Sequence, residues 1–69
     1  MENLKNTLKI ERAIKNYTQE DLAKIIGVSR QTINSIETGR YVPSTVLALK
    51  ISAVFEKSVN KIFSLEVSD

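Results

Sequence analysis

Cysteine, histidine and tryptophan are all absent from this 69-residue sequence. Without Cys there is no disulfide and no thiolate metal site, and without His there is no imidazole ligand or imidazole general base. Two Gly and one Pro leave no phosphate-cradling glycine-rich loop and no flexible linker. No apolar run approaches the ~18 residues of a membrane span. The opening Met-Glu-Asn-Leu-Lys-Asn lacks the basic and apolar regions of a signal peptide. The expectation is a soluble, cytoplasmic chain with no metal, no cofactor, no small-molecule ligand and no membrane partner.

A dominant charge is also missing. Ten Lys and Arg against eight Asp and Glu leave a net charge of +2, which by itself describes a mixed, solvated surface rather than a nucleic-acid binder. Apolar content of 42% with 26% charged residues is ordinary for a globular chain. Residues 1–69 read as one domain, and a domain this small buries only about 60% of the surface its unfolded chain exposes. With no covalent or metal staple, the fold must rest on packing, helped by self-association.

What the sequence does contain is dense helix punctuation. Residues 4 to 16 read as a first helix, ended by Asn16, which tolerates the left-handed conformation. Leu4, Leu8 and Arg12 share one face of it, while Ile10, Ile14 and Tyr17 share another. If Arg12 turns inward, Ile10 and Ile14 lie under a terminal segment, against a partner, or in solvent. The sequence leaves these three open.

Thr18 stands before Gln19-Glu20-Asp21 and the apolar positions Leu22, Ala23, Ile25 and Ile26. It is the expected N-cap, with Asp21 as the short acceptor of a weak capping box. Gly27 supplies a left-handed stop. Ser29 caps a helix over about 30–38 in which Ile33 and Ile36 face inward, and Gly39 closes it. Pro43-Ser44 opens a fourth helix through Val46, Leu47, Leu49, Ile51, Val54 and Phe55, and Ser58 caps a last turn carrying Val59, Ile62 and Phe63. Only the tail, Phe63-Ser64-Leu65-Glu66-Val67, alternates like a strand. The reading is all-α: five short helices, with a short β segment where the tail meets residues near Leu4.

The helix over 30–38 is oddly polar. Ile33 and Ile36 anchor one side and leave Arg30, Gln31, Asn34 and Ser35 free. Arg pairs with guanine O6 and N7, and Gln with adenine N6 and N7, so these side chains suit the major groove. The Gly27-Val28-Ser29 joint sets one helix across the backbone while the next protrudes, which is a helix-turn-helix arrangement. A capped surface helix with merely solvated polar residues explains the composition about as well, until spacing and capping are weighed together.

From Leu8 to Phe63 the chain resembles the Cro/C1-type, or XRE, helix-turn-helix family, through "LKIERA", "TQEDLAKIIGVSRQTINSIETGR" and "PSTVLALKI". The ending "SVNKIFSLE" is similar to that of short, single-domain members. The resemblance implies a lambda-repressor-like fold and a sequence-specific transcriptional regulator, a repressor that binds a pseudo-palindromic operator as a homodimer. It implies base-facing roles for Arg30, Gln31 and Ser35, with Asn34 between them as a base or phosphate contact. Gln19, Ser29, Thr32, Arg40 and Tyr41 match phosphate-side positions. Arg12 and Glu37 match a pair in which the first helix braces the recognition helix. Glu37 also lies next to Ile36, and a carboxylate so close to the core favours a cation, for which Arg is the better planar partner. Dimerisation falls to the segment 59–69, through Val59, Ile62, Phe63, Leu65 and Val67. The sequence departs from the pattern at Asn16 and Glu56, where many relatives have Gly, and at Glu11, where many have an apolar residue.

An antitoxin, or another protein-interaction module of the same fold, is the alternative function. An enzyme finds no support, because no paired carboxylates occupy a plausible pocket. Glu20 and Asp21 are adjacent but serve a helix start.

Overall fold

The computed structural model describes residues 2–67, with the backbone alone for Glu2, Asn3 and Val67. In chain order the elements are β1 (Glu2–Asn6), α1 (Leu8–Lys15), α2 (Gln19–Ile26), α3 (Arg30–Glu37), α4 (Thr45–Phe55), α5 (Val59–Ile62) and β2 (Phe63–Val67). Five helices are therefore joined by a two-stranded ribbon of the two terminal segments.

Three helix starts are built by local hydroxyl caps. Thr18 and Asp21 form a complete capping box: Asp21 N–H donates to Thr18 Oγ1 at 3.0 Å and Thr18 N–H to Asp21 Oδ2 at 2.9 Å. Thr18 takes the extended cap backbone at φ −75° and ψ 169°. Ser29 accepts from Thr32 N–H and Ser44 from Leu47 N–H, each at 3.1 Å. Ser58 takes the extended cap backbone but makes no side-chain cap bond. Gly27 ends α2 at φ 90°. Asn16 and Glu56 end α1 and α4 at φ 58° and 53°, so these two side chains occupy positions that glycine adopts at less cost.

The first helix is shorter than its periodicity predicts. It begins at Leu8, because residues 2 to 6 leave the helical path to pair antiparallel with the tail, Leu4 opposite Leu65 and Asn6 opposite Phe63. Asn6 fixes this boundary: its Oδ1 accepts from Leu8 N–H and its Nδ2 donates to the Ile36 carbonyl, both at 3.0 Å. Leu4 still packs on the core, now from a strand.

Leu8, Leu22, Ile33, Ile36, Ile51 and Ile62 are fully buried, with Ala23, Ile26, Leu47, Phe55 and Phe63 around them. In α4 the inward row is Leu47, Ile51 and Phe55, at i, i+4 and i+8, so Val46 and Leu49 fall on the solvent side. Ile25 on α2 is exposed as well. Ile10 and Ile14 lie in solvent, at 61% and 66% exposure. Tyr17 parts from them because Asn16 reverses the chain, and its ring meets Phe55 with centroids 6.4 Å apart. No helix among the described residues is long and apolar enough to cross a membrane.

Candidate nucleic-acid interface

Between α2 and α3 the chain turns within three residues. Gly27 N–H and Val28 N–H both donate to the Ala23 carbonyl, at 2.8 and 3.0 Å, and Ser29 then starts α3. Ile33 and Ile36 lock one side of α3 into the core, which leaves Arg30, Gln31 and Asn34 exposed and Ser35 half-buried. Arg30, Gln31 and Asn34 line a concavity of about 560 Å³ with Gln19 and Ser29. A neighbouring groove of about 570 Å³ runs between α3 and the start of α4, lined by Gln31, Thr32, Ser35, Tyr41, Ser44 and Lys50 among others. Gln31 lines both. Lys50 was not singled out by the sequence reading, although it shares a helix face with Val46 at i, i+4.

The loop after α3 folds back on that helix. Arg40 N–H and Tyr41 N–H both donate to the Ser35 carbonyl, at 2.9 and 3.2 Å, and both side chains are exposed. Ser29 and Thr32 hydroxyls bond each other at 2.9 Å at the edge of the concavity. The Ser29, Thr32 and Tyr41 hydroxyls and the Arg40 guanidinium thus lie at the two ends of α3 and beside it.

Arg12 and Glu37 join α1 to the end of α3. Arg12 Nε donates to Glu37 Oε2 at 2.5 Å and Nη2 to Oε1 at 3.0 Å, while Nη1 donates to the Tyr17 carbonyl at 2.9 Å. The side chains are only 14% and 7% exposed. The hydrogen bond to Glu37 raises the Arg12 pKa above its usual value, against a lowering by burial and with a further rise from the Glu37 charge. Gln19 closes on the same carboxylate: its Nε2 donates to Glu37 Oε1 at 3.2 Å and to Asn34 Oδ1 at 3.1 Å.

Of the expected dimerisation residues, Ile62 and Phe63 are only 1% and 6% exposed, because the short α5 turns them into the chain's own core. They are not surface residues. Leu65 is exposed, Val59 is half-buried against the core, and the Val67 side chain lies outside the described residues.

The profile of the helix-turn-helix family matches residues 8–62. In sequence, the chain is 56% identical over 63 residues to an uncharacterized HTH-type transcriptional regulator of Methanocaldococcus jannaschii, covering 91% of this chain and 96% of that one. A Bacillus subtilis protein with the same description is 48% identical over 63 residues, with coverage of 91% and 96%. The ImmF control region 10 kDa protein of Bacillus phage phi105 is 33% identical over 60 residues, covering 87% of this chain and 67% of that one. Among solved structures, a Bacteroides fragilis protein superposes with a TM-score of 0.78 at 23% identity, over 88% of this chain and 98% of the other. That last likeness is one of fold.

Proposed function

Because the chain belongs to the helix-turn-helix family of DNA-binding transcriptional regulators, we propose that it acts as a repressor: a homodimer that grips a pseudo-palindromic operator through successive major grooves. One observation carries this reading. α3 buries Ile33 and Ile36 while presenting Arg30, Gln31 and Asn34 to solvent, and the Arg12–Glu37 pair ties its end to α1.

Arg30 and Gln31 then read base edges, with Ser35 and Asn34 flanking them. Ser29, Thr32, Arg40 and Tyr41 hold phosphates and fix register, assisted by the helix starts. Two copies place their recognition helices about 34 Å apart, one turn of duplex. Dimerisation draws on the C-terminal segment through the exposed Leu65, beside the half-buried Val59.

Selection of binding sites from random duplexes, followed by titration on the selected site and a scrambled one across several salt concentrations, tests the reading. An inverted-repeat site bound in preference to the scrambled duplex is the expected result. Equal affinity for both at every salt concentration overturns it.

A further inference from the structure

Glu37 sits between two donors. Arg12 occupies both of its oxygens, and Gln19 Nε2 shares Oε1 at 3.2 Å. A carboxylate gripped by a guanidinium offers only acceptors, so the Gln19 atom that faces it must be the amide nitrogen. That nitrogen also lies 3.1 Å from the side-chain amide of Asn34. Two amide N–H groups would repel at that distance, so Asn34 turns Oδ1 towards Gln19 and Nδ2 away from it. Asn34 is exposed on α3, in the concavity it lines with Gln19, Arg30 and Gln31. A chain of hydrogen bonds therefore transmits the polarity of a permanently charged Arg12 to a group on the protein surface.

The geometry points to Asn34 as a fixed hydrogen-bond donor and to Gln19 as the positioning residue that fixes it. Arg12, Glu37 and Gln19 together hold the Asn34 N–H groups outward, where they select a base edge that presents an acceptor. The inference rests on the DNA-reading function above. In the major groove, guanine N7 and O6 and thymine O4 are such acceptors, cytosine offers only the N4 donor, and adenine N7 accepts but stands beside the N6 donor, which opposes an outward N–H pair. Adenine read at N6 and N7 together needs the Asn oxygen as well, and that oxygen is turned back against α2. Asn34 thus favours a keto base.

Gln19 has a changed role in consequence. Both of its N–H groups are directed at protein acceptors, so what remains is a carbonyl oxygen. In the free protein the Gln19 side chain thus keeps no N–H for a phosphate, while its main-chain N–H at the start of α2 stays available. The side chain acts through Asn34.

The experiment is binding-site selection with wild type, Asn34→Ala, Gln19→Met and the double variant, each first checked by thermal melting. Gln19→Ala gives the same readout if Met disturbs the packing. Wild type is expected to prefer guanine or thymine at one position by roughly tenfold, the worth of a single good hydrogen bond. Asn34→Ala loses that preference and no other. Gln19→Met, which frees the amide to turn, admits adenine and cytosine at the same position and leaves the rest intact. The double variant matches Asn34→Ala.

Uniform weakening of all duplexes by Gln19→Met, with every preference kept, assigns Gln19 to the phosphates and overturns the inference. An adenine or cytosine preference that depends on Asn34 overturns it too. A separate arm needs no DNA. In the free protein the Gln19 side-chain N–H protons should exchange with water more slowly than those of the exposed Gln31, and equal rates overturn the positioning. Loss of all sequence preference in wild type, with slow Gln19 exchange retained, overturns the DNA-reading function and leaves the hydrogen-bond chain standing.

Discussion

Glu11 and Lys57 stand 46 residues apart in the chain, yet Lys57 Nζ donates to Glu11 Oε2 at 2.8 Å. The Glu11 side chain is 9% exposed and that of Lys57 is 44% exposed. The pair ties the start of α1 to the turn after α4, next to Glu56 in its left-handed conformation. A position where many relatives have an apolar residue is thus a buried carboxylate with a distant cation.

Removing only the cation strands that carboxylate. Lys57→Ala is expected to destabilise by about 1–2 kcal/mol, since water reaches part of the pair and takes up some of the loss. Glu11→Leu removes the buried charge itself and should be neutral or stabilising by as much as about 2 kcal/mol. Urea denaturation of both variants checks this. A Glu11→Leu protein less stable than Lys57→Ala would reject the account.

The Arg12–Glu37 brace is more enclosed. Arg12→Ala should cost about 3–5 kcal/mol, because Glu37 would be left buried with Gln19 as its remaining side-chain donor. The double variant Arg12→Ala/Glu37→Ala should recover part of that loss. Strict additivity in a double-mutant cycle would deny the coupling that the geometry shows.

Asp21 gives the helix-turn-helix an acid limb. Its carboxyl is held below the ordinary range, first by the Thr18 backbone N–H and then by the Thr18 side chain, with a smaller contribution from the Lys24 charge against slight desolvation. A folded-state pKa below the unfolded one contributes stability above about pH 4, and that contribution disappears as pH falls through the lower folded value. The stability gap between wild type and Asp21→Asn should therefore narrow on acidification. Urea melts in steps from about pH 7 down to about pH 2 read it directly, and a constant gap would exclude the linkage.

Two arginine and glutamine variants should fail differently on DNA. Arg40→Ala is expected to weaken operator and scrambled duplexes alike and to make the salt slope shallower by about one unit. Gln31→Ala should cost roughly 1–3 kcal/mol on the operator alone and relax preference at one position of each half-site. Gln31 is the sharper probe, because it is exposed on α3 and lines both grooves there. Unchanged operator affinity and preference in Gln31→Ala would remove it from the reading surface.

The dimer is tested at Leu65 rather than Phe63. Phe63→Ala opens a cavity in the chain's own core and should destabilise by about 3–5 kcal/mol, which confounds any reading of association. Leu65→Lys places a charge on an exposed strand position that makes little core contact. It should shift sedimentation from dimer to monomer at micromolar protein while the thermal melt keeps its shape. A monomeric wild type at high micromolar concentration rejects the homodimer.

The sequence alone determined where most helices start and stop. Thr18, Ser29 and Ser44 bond to N–H groups only three residues ahead, and Gly27 needs nothing beyond its own backbone freedom. Such interactions are complete within one turn of chain, so the residue types spell them out. The inward spacing of Ile33 and Ile36 was legible for the same reason, and with it the exposed row of α3. Tertiary structure decided whatever depends on a partner far along the chain. Leu4 continues a helical period in sequence, but an antiparallel partner at Leu65 draws it into a strand. Val46 and Leu49 belong to the same apolar run as Leu47, Ile51 and Phe55, and the packing of α4 through those three left them in solvent. Gln19 matches a phosphate-side position in sequence, and only the fold shows that Glu37, 18 residues away, accepts from one of its N–H groups. Periodicity marks several faces as apolar or polar, but a helix can bury only the face its neighbours cover, and a donor serves the acceptor that the fold brings nearest.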